Sequence, residues 1–208
     1  MYKPTLSLHD QKGQRKYLNQ TERLQFLKCT INRPLEVRLF CQLLFFTGAR
    51  IAEIHNLTNI NIDFSNGSVV IETLKKRKRG IYREILLLDH VLSDLKCLIS
   101  QFENESENPQ SLWSFCLRTG ARHVKRIMVE AGIFGTRSCA RGLRHSLAVQ
   151  ITSITRITEA KKWLGHASIE TTAIYLDVVG EEERAIAQKI WAKDLMGIEN
   201  VTQLQTSA

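Results

Sequence analysis

Four short segments of this 208-residue chain concentrate side chains that could bind an anion or move a proton. Arginine binds oxyanions in bidentate fashion and keeps its charge, histidine exchanges a proton near neutral pH, and a tyrosine hydroxyl can act as a nucleophile. Binding to an anionic partner, with or without a nucleophilic reaction, is therefore the chemistry to consider first. The segments are Thr47-Gly48-Ala49-Arg50 with Glu53 behind it, Lys75-Lys76-Arg77-Lys78-Arg79, Arg141-Gly142-Leu143-Arg144-His145, and Trp163-Leu164-Gly165-His166 leading to Tyr175.

Each segment taken alone also has an ordinary structural explanation. Arg50 and Glu53 are spaced for a salt bridge on a helix. The run Lys75–Arg79 could be a solubilising turn or a general phosphate clamp. Arg144 and His145 could be surface residues or a buried pair satisfied by hydrogen bonds, and His166 could be a cation at the C-terminal end of a helix. Tyr175 is typical of the edge of a hydrophobic core. The choice between a functional and a purely structural explanation must therefore rest on the combination and the order of the four segments.

The segments resemble, in sequence and in order, the motifs of the tyrosine site-specific recombinases, or phage-integrase family. The stretch Thr47–Ile54 is similar to the first arginine box of the family, and Gly142–Ser146 is similar to the second. The stretch Leu164–Tyr175 is similar to its C-terminal signature. The resemblance extends from about residue 18 to about residue 190. It implies the catalytic-domain fold of the family, in its minimal fimbrial-switch invertase type.

The resemblance implies that the chain cleaves and rejoins DNA strands. Tyr175 is the expected nucleophile, forming a 3′-phosphotyrosine that a DNA 5′-hydroxyl later reverses. Arg50 and Arg144 are expected to hold the non-bridging phosphate oxygens, and His166 is expected to donate a hydrogen bond at the same site. Neither a metal nor a nucleotide cofactor is implied.

The family places its general acid, a lysine, in the basic turn of this sequence. Lys75 is the first candidate for protonating the departing 5′-oxygen, and Lys76 is the alternative because the register of the turn is open. The rest of the turn, Lys76, Arg77, Lys78 and Arg79, is expected to bind neighbouring DNA phosphates. Glu53 is expected to position the helix that follows Arg50.

Arg141 departs from the family pattern. Three residues before the arginine of the second box, the family usually has histidine, or lysine in some branches. Histidine there assists proton transfer at the tyrosine, whereas an arginine acts only as a charged donor because it does not deprotonate. Arg141 is therefore included in the expected catalytic set, and the acid/base assignment at the tyrosine is left open.

The composition is that of a globular protein with a polyanionic partner. The chain has 29 Lys and Arg against 21 Asp and Glu, a net charge of +8, and this excess suits nucleic acid or an anionic membrane surface. The sequence lacks an apolar run long enough to span a membrane and a recognisable secretory signal, which favours a cytoplasmic protein. Five cysteines without the spacing of a zinc site predict free, mostly buried thiols.

Hydrophobic periodicity predicts a mainly α fold with one small three-stranded antiparallel sheet. Helices are predicted at 19–31 (beginning near Asn19 or Thr21), 34–47, 50–57, 89–103, 119–132, 140–152, 158–165, 168–177 and 181–195, and strands at 60–64, 69–73 and 82–88. We expect a flexible basic arm at 1–18, a catalytic domain at 19–196, a tail at 197–208, and no separate N-terminal core-binding domain.

The expected partner is double-stranded DNA, bound by a homo-tetramer on paired recombination sites. Off DNA we expect a monomer or weak oligomer, with a possible accessory DNA-bending protein and no membrane contact. The outcome on DNA could be integration, inversion, excision or resolution. The alternative is a DNA-binding regulator that keeps the fold but has little or no strand-exchange activity, as Arg141 and the missing N-terminal domain could indicate.

Overall fold

The computed structural model describes residues 7–74, 80–102 and 108–176. It confirms a mainly α fold with a three-stranded antiparallel sheet. The basic turn at 75–79, the predicted helix at 181–195 and the tail at 197–208 lie outside the described residues. Within them, the elements are α1 (Gln20–Thr30), α2 (Leu35–Thr47), α3 (Ile51–His55), β1 (Ile62–Asp63), β2 (Ser68–Glu72), β3 (Tyr82–Leu86), α4 (Asp89–Ile99), α5 (Leu117–Glu130), α6 (Ala140–Ile154), α7 (Ile157–Leu164) and α8 (Glu170–Ala173).

Helix α2 is the centre of the core. It packs against α1, α3, α4, α5 and α6, as its nearly continuous apolar sequence predicted. Burial of this apolar surface is the main favourable contribution to folding, and it fixes the point at which the chain leaves α2 toward Arg50. Buried side chains from successive turns of the helix are Leu39, Phe40, Cys41, Leu43 and Leu44.

Helix α1 begins with a capping box. Asn19 Oδ1 accepts a hydrogen bond from the Glu22 amide at 2.8 Å, and Glu22 Oε2 accepts one from the Asn19 amide at 2.9 Å. This identifies Asn19, rather than Thr21, as the cap. Just before it, the Leu18 amide donates to Ser146 Oγ at 2.6 Å, and the Leu18 side chain is buried. The entry to α1 is thereby joined to α6.

Strand β2 pairs antiparallel with both β1 and β3. The predicted start of the first strand at residue 60 is wrong, because residues 59–61 form a 3₁₀ turn. Asn61 Oδ1 accepts hydrogen bonds from the amide and from Oγ1 of Thr58, both at 2.8 Å. Side-chain bonds of this kind compete with strand pairing. The sheet contributes Val69, Ile71 and Ile85 to the core.

The predicted helix at 168–177 is reduced to the single turn of α8. The amides of Tyr175 and Leu176 donate to the carbonyls of Thr172 and Ala173, three residues back, at 3.1 and 3.0 Å. Bonds over three residues are typical of the tight turn that ends a helix. Tyr175 therefore lies in a turn, and its side chain is only 3% exposed.

The five cysteines are free, but their burial differs from the prediction. Cys41 is buried, whereas Cys97 and Cys116 are exposed and the other two are partly exposed. The expectation of mostly buried thiols is wrong, because α4 and the start of α5 present one face to solvent. Across residues 7–74, 80–102 and 108–176, no helix is long and apolar enough to cross a membrane.

Candidate active site

Arg144 connects the ends of two helices at the candidate site. It lies on α6 and is 7% exposed. Its Nη1 donates to the Gly48 carbonyl and its Nη2 to the Leu164 carbonyl, both at 2.7 Å. These bonds tie the end of α2 to the end of α7. They use two of the five N–H groups of the guanidinium, which leaves donors for an anion.

Two glycines set the chain direction at those helix ends. Gly48 and Gly165 both adopt the left-handed backbone conformation, with φ of +61° and +64°, which glycine reaches without steric cost. A Cβ on Gly165 would also lie 2.9 Å from Thr73 Oγ1 and 3.0 Å from Arg83 Nη1. The glycines of the first and last motifs therefore each end a helix just before a functional side chain.

Glu53 is a buried carboxylate that holds two arginines. Its Oε1 accepts from Arg50 Nη1 at 2.6 Å, and its Oε2 accepts from Arg83 Nη2 at 2.6 Å and from the Arg50 amide at 2.9 Å. Burial opposes ionisation of Glu53, but Arg83 and Arg50 together hold its pKa below the ordinary value. The carboxylate is therefore charged and anchors the Arg50 guanidinium.

The same carboxylate reaches the base of the basic turn. The Leu74 amide donates to Glu53 Oε1 at 3.3 Å. At the other end of the turn, the Gly80 amide donates to Glu72 Oε1 at 3.0 Å. The base of the turn is therefore fixed beside the Arg50 anchor, while the predicted site residues Lys75, Lys76, Arg77, Lys78 and Arg79 lie outside the described residues.

The Tyr175 side chain contacts two histidines. Its hydroxyl oxygen lies 2.8 Å from His145 Nδ1. Its ring is nearly parallel to that of His166, with 6.1 Å between centroids and 12° between planes. His166 Nδ1 lies 2.9 Å from Thr172 Oγ1, a buried hydroxyl that fixes the imidazole orientation. The phenol is thus held between defined polar partners.

Burial and surrounding cations keep both histidines uncharged. Burial, followed by the charges of Arg144, Arg141 and Lys16, lowers the pKa of His145 to about 4. Burial, followed by the charge of Arg144 and other cations, lowers the pKa of His166 to about 3. At neutral pH each imidazole therefore has one nitrogen able to accept a proton and one able to donate.

Arg50 and Arg144, the arginines of the two boxes, both affect the pKa of the Tyr175 hydroxyl through their charge. Burial raises the pKa of Tyr175, while the positive charges of Arg144 and Arg50 oppose that rise. Burial, together with repulsion from Arg50, lowers the pKa of Arg144 to about 10, which leaves it charged at neutral pH. The hydroxyl is therefore protonated at rest, beside two permanent cations.

The structure brings together four of the six residues predicted as catalytic, Arg50, Arg144, His166 and Tyr175. Arg141 is exposed on the first turn of α6 and influences the site through its charge on His145. Lys75 lies outside the described residues.

Sequence reasoning included His145 in the second arginine segment without giving it a role, and it missed Arg83. His145 lies four residues after Arg141, and residues four apart share one face of a helix, so their spacing could have indicated it. Arg83 occupies an inward position of β3, whose residues alternate between exposed and buried. A charged residue at an inward position predicts a buried acidic partner, and Glu53 is that partner.

A second basic surface lies on α5. The helix turns an apolar face to the core and a cationic face to solvent. Such a face suits binding to a phosphate backbone. Its exposed cations are Arg118, Arg122, Lys125 and Arg126.

Comparison with known proteins shows a match over most of the chain. The model of the phage integrase family matches residues 16–182. The tyrosine recombinase of Thermosipho africanus is 30% identical over 162 residues, covering 71% of this chain and 52% of that protein. The tyrosine recombinase XerH of Campylobacter jejuni is 26% identical over 186 residues, covering 84% and 49%. The chain thus spans about half the length of these curated relatives.

A solved structure of a recombinase is also similar to this chain. A crystal structure of the XerH site-specific recombinase bound to a palindromic difH substrate, in a post-cleavage complex, is 27% identical with a TM-score of 0.67. The match covers 91% of this chain and 57% of that chain.

Proposed function

The chain belongs to the phage integrase family, and we propose that it is a site-specific DNA recombinase that cleaves and rejoins strands through a 3′-phosphotyrosine. The observation that carries this proposal is the environment of Tyr175: His145 Nδ1 lies 2.8 Å from its hydroxyl, His166 lies beside its ring, and the charges of Arg144 and Arg50 act on its pKa. These side chains come from four separate elements, and their chemistry is that of phosphodiester attack.

In this proposal the arginines bind the scissile phosphate. Arg50 and Arg144 donate to its non-bridging oxygens, whose negative charge grows as the Tyr175 oxygen attacks phosphorus. With the Thr172 hydroxyl donating to Nδ1 of His166, Nε2 carries the proton and donates to the same phosphate. Both arginines are held before DNA binds, so little reorganisation is needed in the transition state.

The proposed general acid for the departing 5′-oxygen is Lys75, with Lys76 as the alternative. The hydrogen bond from the Leu74 amide to Glu53 supports this assignment, because it brings the residue before Lys75 to the anchor of Arg50. Lys76, Arg77, Lys78 and Arg79, with the exposed face of α5, are proposed to bind flanking phosphates. Arg141 is proposed to add positive charge at the nucleophile.

The proposed partner is double-stranded DNA, since matched relatives are named tyrosine recombinases and one solved neighbour is a site-specific recombinase bound to a palindromic difH substrate. We propose that the protein works in the bacterial cytoplasm or nucleoid as a tetramer on paired sites, with an accessory DNA-bending protein. The minimal, fimbrial-switch type of recombinase remains the proposed subtype, with the basic arm, catalytic domain and tail at the ranges expected from sequence.

A covalent capture experiment tests this proposal. Genomic DNA from the organism that carries the gene is sheared, lightly nicked and incubated with the protein. A nick beside a cleavage site lets the short leaving strand diffuse away, so the adduct accumulates. DNA bound covalently to protein is then precipitated with detergent and potassium. The wild-type protein should retain specific fragments, and Tyr175→Phe should retain none.

The matched control is Tyr82→Phe, which alters an exposed tyrosine on β3 and should retain the same fragments as the wild type. Salt-dependent DNA binding with no adduct would instead identify a DNA-binding regulator. Equal adduct yields from wild type and Tyr175→Phe would reject Tyr175 as the nucleophile.

A further inference from the structure

The Tyr175 hydroxyl has a proton acceptor that the sequence motifs did not assign. The His145 Nδ1 atom lies 2.8 Å from the hydroxyl oxygen, within normal hydrogen-bond distance. The two rings are tilted by 46° with centroids 5.7 Å apart, so they meet at their polar edges and do not stack. Within the part of the chain that the structure describes, this is the hydrogen-bond partner of the phenol.

The neighbouring groups are less suited to accept this proton. His166 presents its ring face to the tyrosine ring, and its Nδ1 is engaged with Thr172. Arg144 and Arg50 are cations with no free lone pair. Arg141, at the position where an acid/base residue was expected, is likewise a permanent cation. One helical turn further along α6, His145 supplies a basic nitrogen on the same side of the helix.

We propose that His145 is the catalytic base for Tyr175, taking over at the next turn of α6 the proton transfer that Arg141 is unable to perform. The inference rests on the proposed recombinase function. As the Tyr175 oxygen bonds to phosphorus, its proton passes to His145 Nδ1 and the bond from phosphorus to the 5′-oxygen breaks. The general acid protonates that oxygen. In rejoining, a 5′-hydroxyl attacks phosphorus and returns its proton to the general acid, the bond to tyrosine breaks, and protonated His145 gives its own proton to the phenolate.

The surroundings of His145 fit this role in both directions. Arg144, Arg141 and Lys16 place positive charge around it, and Tyr175 and His166 are its titratable neighbours. Burial and the three cations keep the imidazole neutral at rest, so Nδ1 is free to accept when Nε2 carries the proton. The same cations make the protonated form a strong acid, which favours return of the proton to the departing phenolate.

The test is the single-turnover rate of adduct formation by His145→Asn on the DNA captured with the wild type. Asparagine can place an amide oxygen near the former Nδ1 position but takes no proton. We expect a loss of about 10²- to 10⁴-fold, the range typical of general acid–base catalysis, with DNA affinity unchanged. The matched control is His90→Asn, an exposed histidine on α4, which should react at the wild-type rate.

The pH profile separates proton transfer from simple positioning. Without its base, the phenol must lose its proton to solvent, so the His145→Asn rate should rise about tenfold per pH unit below the pKa of tyrosine. The wild-type rate should change much less between about pH 6 and about pH 8. If the asparagine variant folds poorly, His145→Gly assayed with added imidazole replaces it, and imidazole should restore adduct formation.

The outcomes distinguish this inference from the function on which it rests. If the wild type gives no Tyr175-dependent adduct, both fail. If the wild type gives the adduct and His145→Asn matches its rate and pH profile, the base assignment alone fails. A higher rate for His145→Asn than for the wild type would also overturn the assignment, since the His145–Tyr175 hydrogen bond would then restrain the nucleophile.

Discussion

A carboxylate removed from water is stable in a protein only when charged or polar partners replace its hydration. Glu53 has four such partners, the side chains of Arg50 and Arg83 and the amides of Arg50 and Leu74. Arg83 is itself buried, at 7% exposure, and depends on Glu53 in turn. The proposed phosphate ligand Arg50 is therefore held by a network that depends on the negative charge of Glu53.

Glu53→Gln should destabilise the fold substantially. The amide keeps the shape of the side chain but leaves the buried Arg83 charge without its counterion. Removing one partner of a buried ion pair typically costs about 3–5 kcal/mol. We expect the free energy of unfolding in urea to fall by about 3 kcal/mol.

The comparison variant for this measurement is Glu130→Gln. Glu130 forms an ion pair with Arg33, and its side chain is 50% exposed. Exposed pairs contribute about 0–1 kcal/mol, so this variant should change stability little. Equal losses in the two variants would show that the Glu53 charge contributes no more than a surface carboxylate.

Among the helices and strands, the sequence predicted the ones whose sequence pattern depends only on neighbouring residues. The apolar run of α2, the start of α1 near Asn19 or Thr21 and the order of the three strands could be recognised because each depends on neighbouring residues. The short β1 and the single-turn α8 could not, since they depend on competing hydrogen bonds at Thr58 and Thr172. For the site, the resemblance to the family motifs predicted Arg50, Arg144, His166 and Tyr175, whereas the contact of His145 with the phenol depends on packing.

The β2–β3 connection is proposed to supply the general acid, and its two lysine candidates can be separated chemically. Lys75→Ala should slow adduct formation on DNA with a normal 5′-oxygen leaving group. Replacing that oxygen with sulfur should restore the rate, because a thiolate leaves without protonation. Gel measurement of the adduct over time would show both effects. If Lys76→Ala shows the loss and the rescue while Lys75→Ala does not, the register is shifted by one.

Burial, together with the charges of nearby arginines, makes the imidazoles of His145 and His166 costly to protonate in the folded chain. The folded chain buries His145 and His166 among arginines and lowers their pKa values to about 4 and about 3. In the unfolded chain both have the ordinary value near 6.5. Folding therefore requires both rings to remain unprotonated at mildly acidic pH, and this couples the stability of the fold to its candidate active site.

The free energy of unfolding should therefore fall as the pH falls. A group whose folded pKa is lowered binds more protons in the unfolded state, so its stabilising effect is complete above the unfolded pKa and is lost toward the folded pKa. Each histidine should contribute a slope approaching about 1.4 kcal/mol per pH unit near pH 5.

Urea unfolding at pH values from 7 to 5 gives the slope of the free energy of unfolding against pH. For His145→Asn this slope should be smaller than for the wild type by the equivalent of one proton. Carboxylates such as Glu53 add slopes of the same sign, but they are common to both proteins and cancel in the difference. Equal slopes would mean that His145 takes up its proton in the folded state as readily as in the unfolded state, and the neutral imidazole required of a base would be absent at that pH.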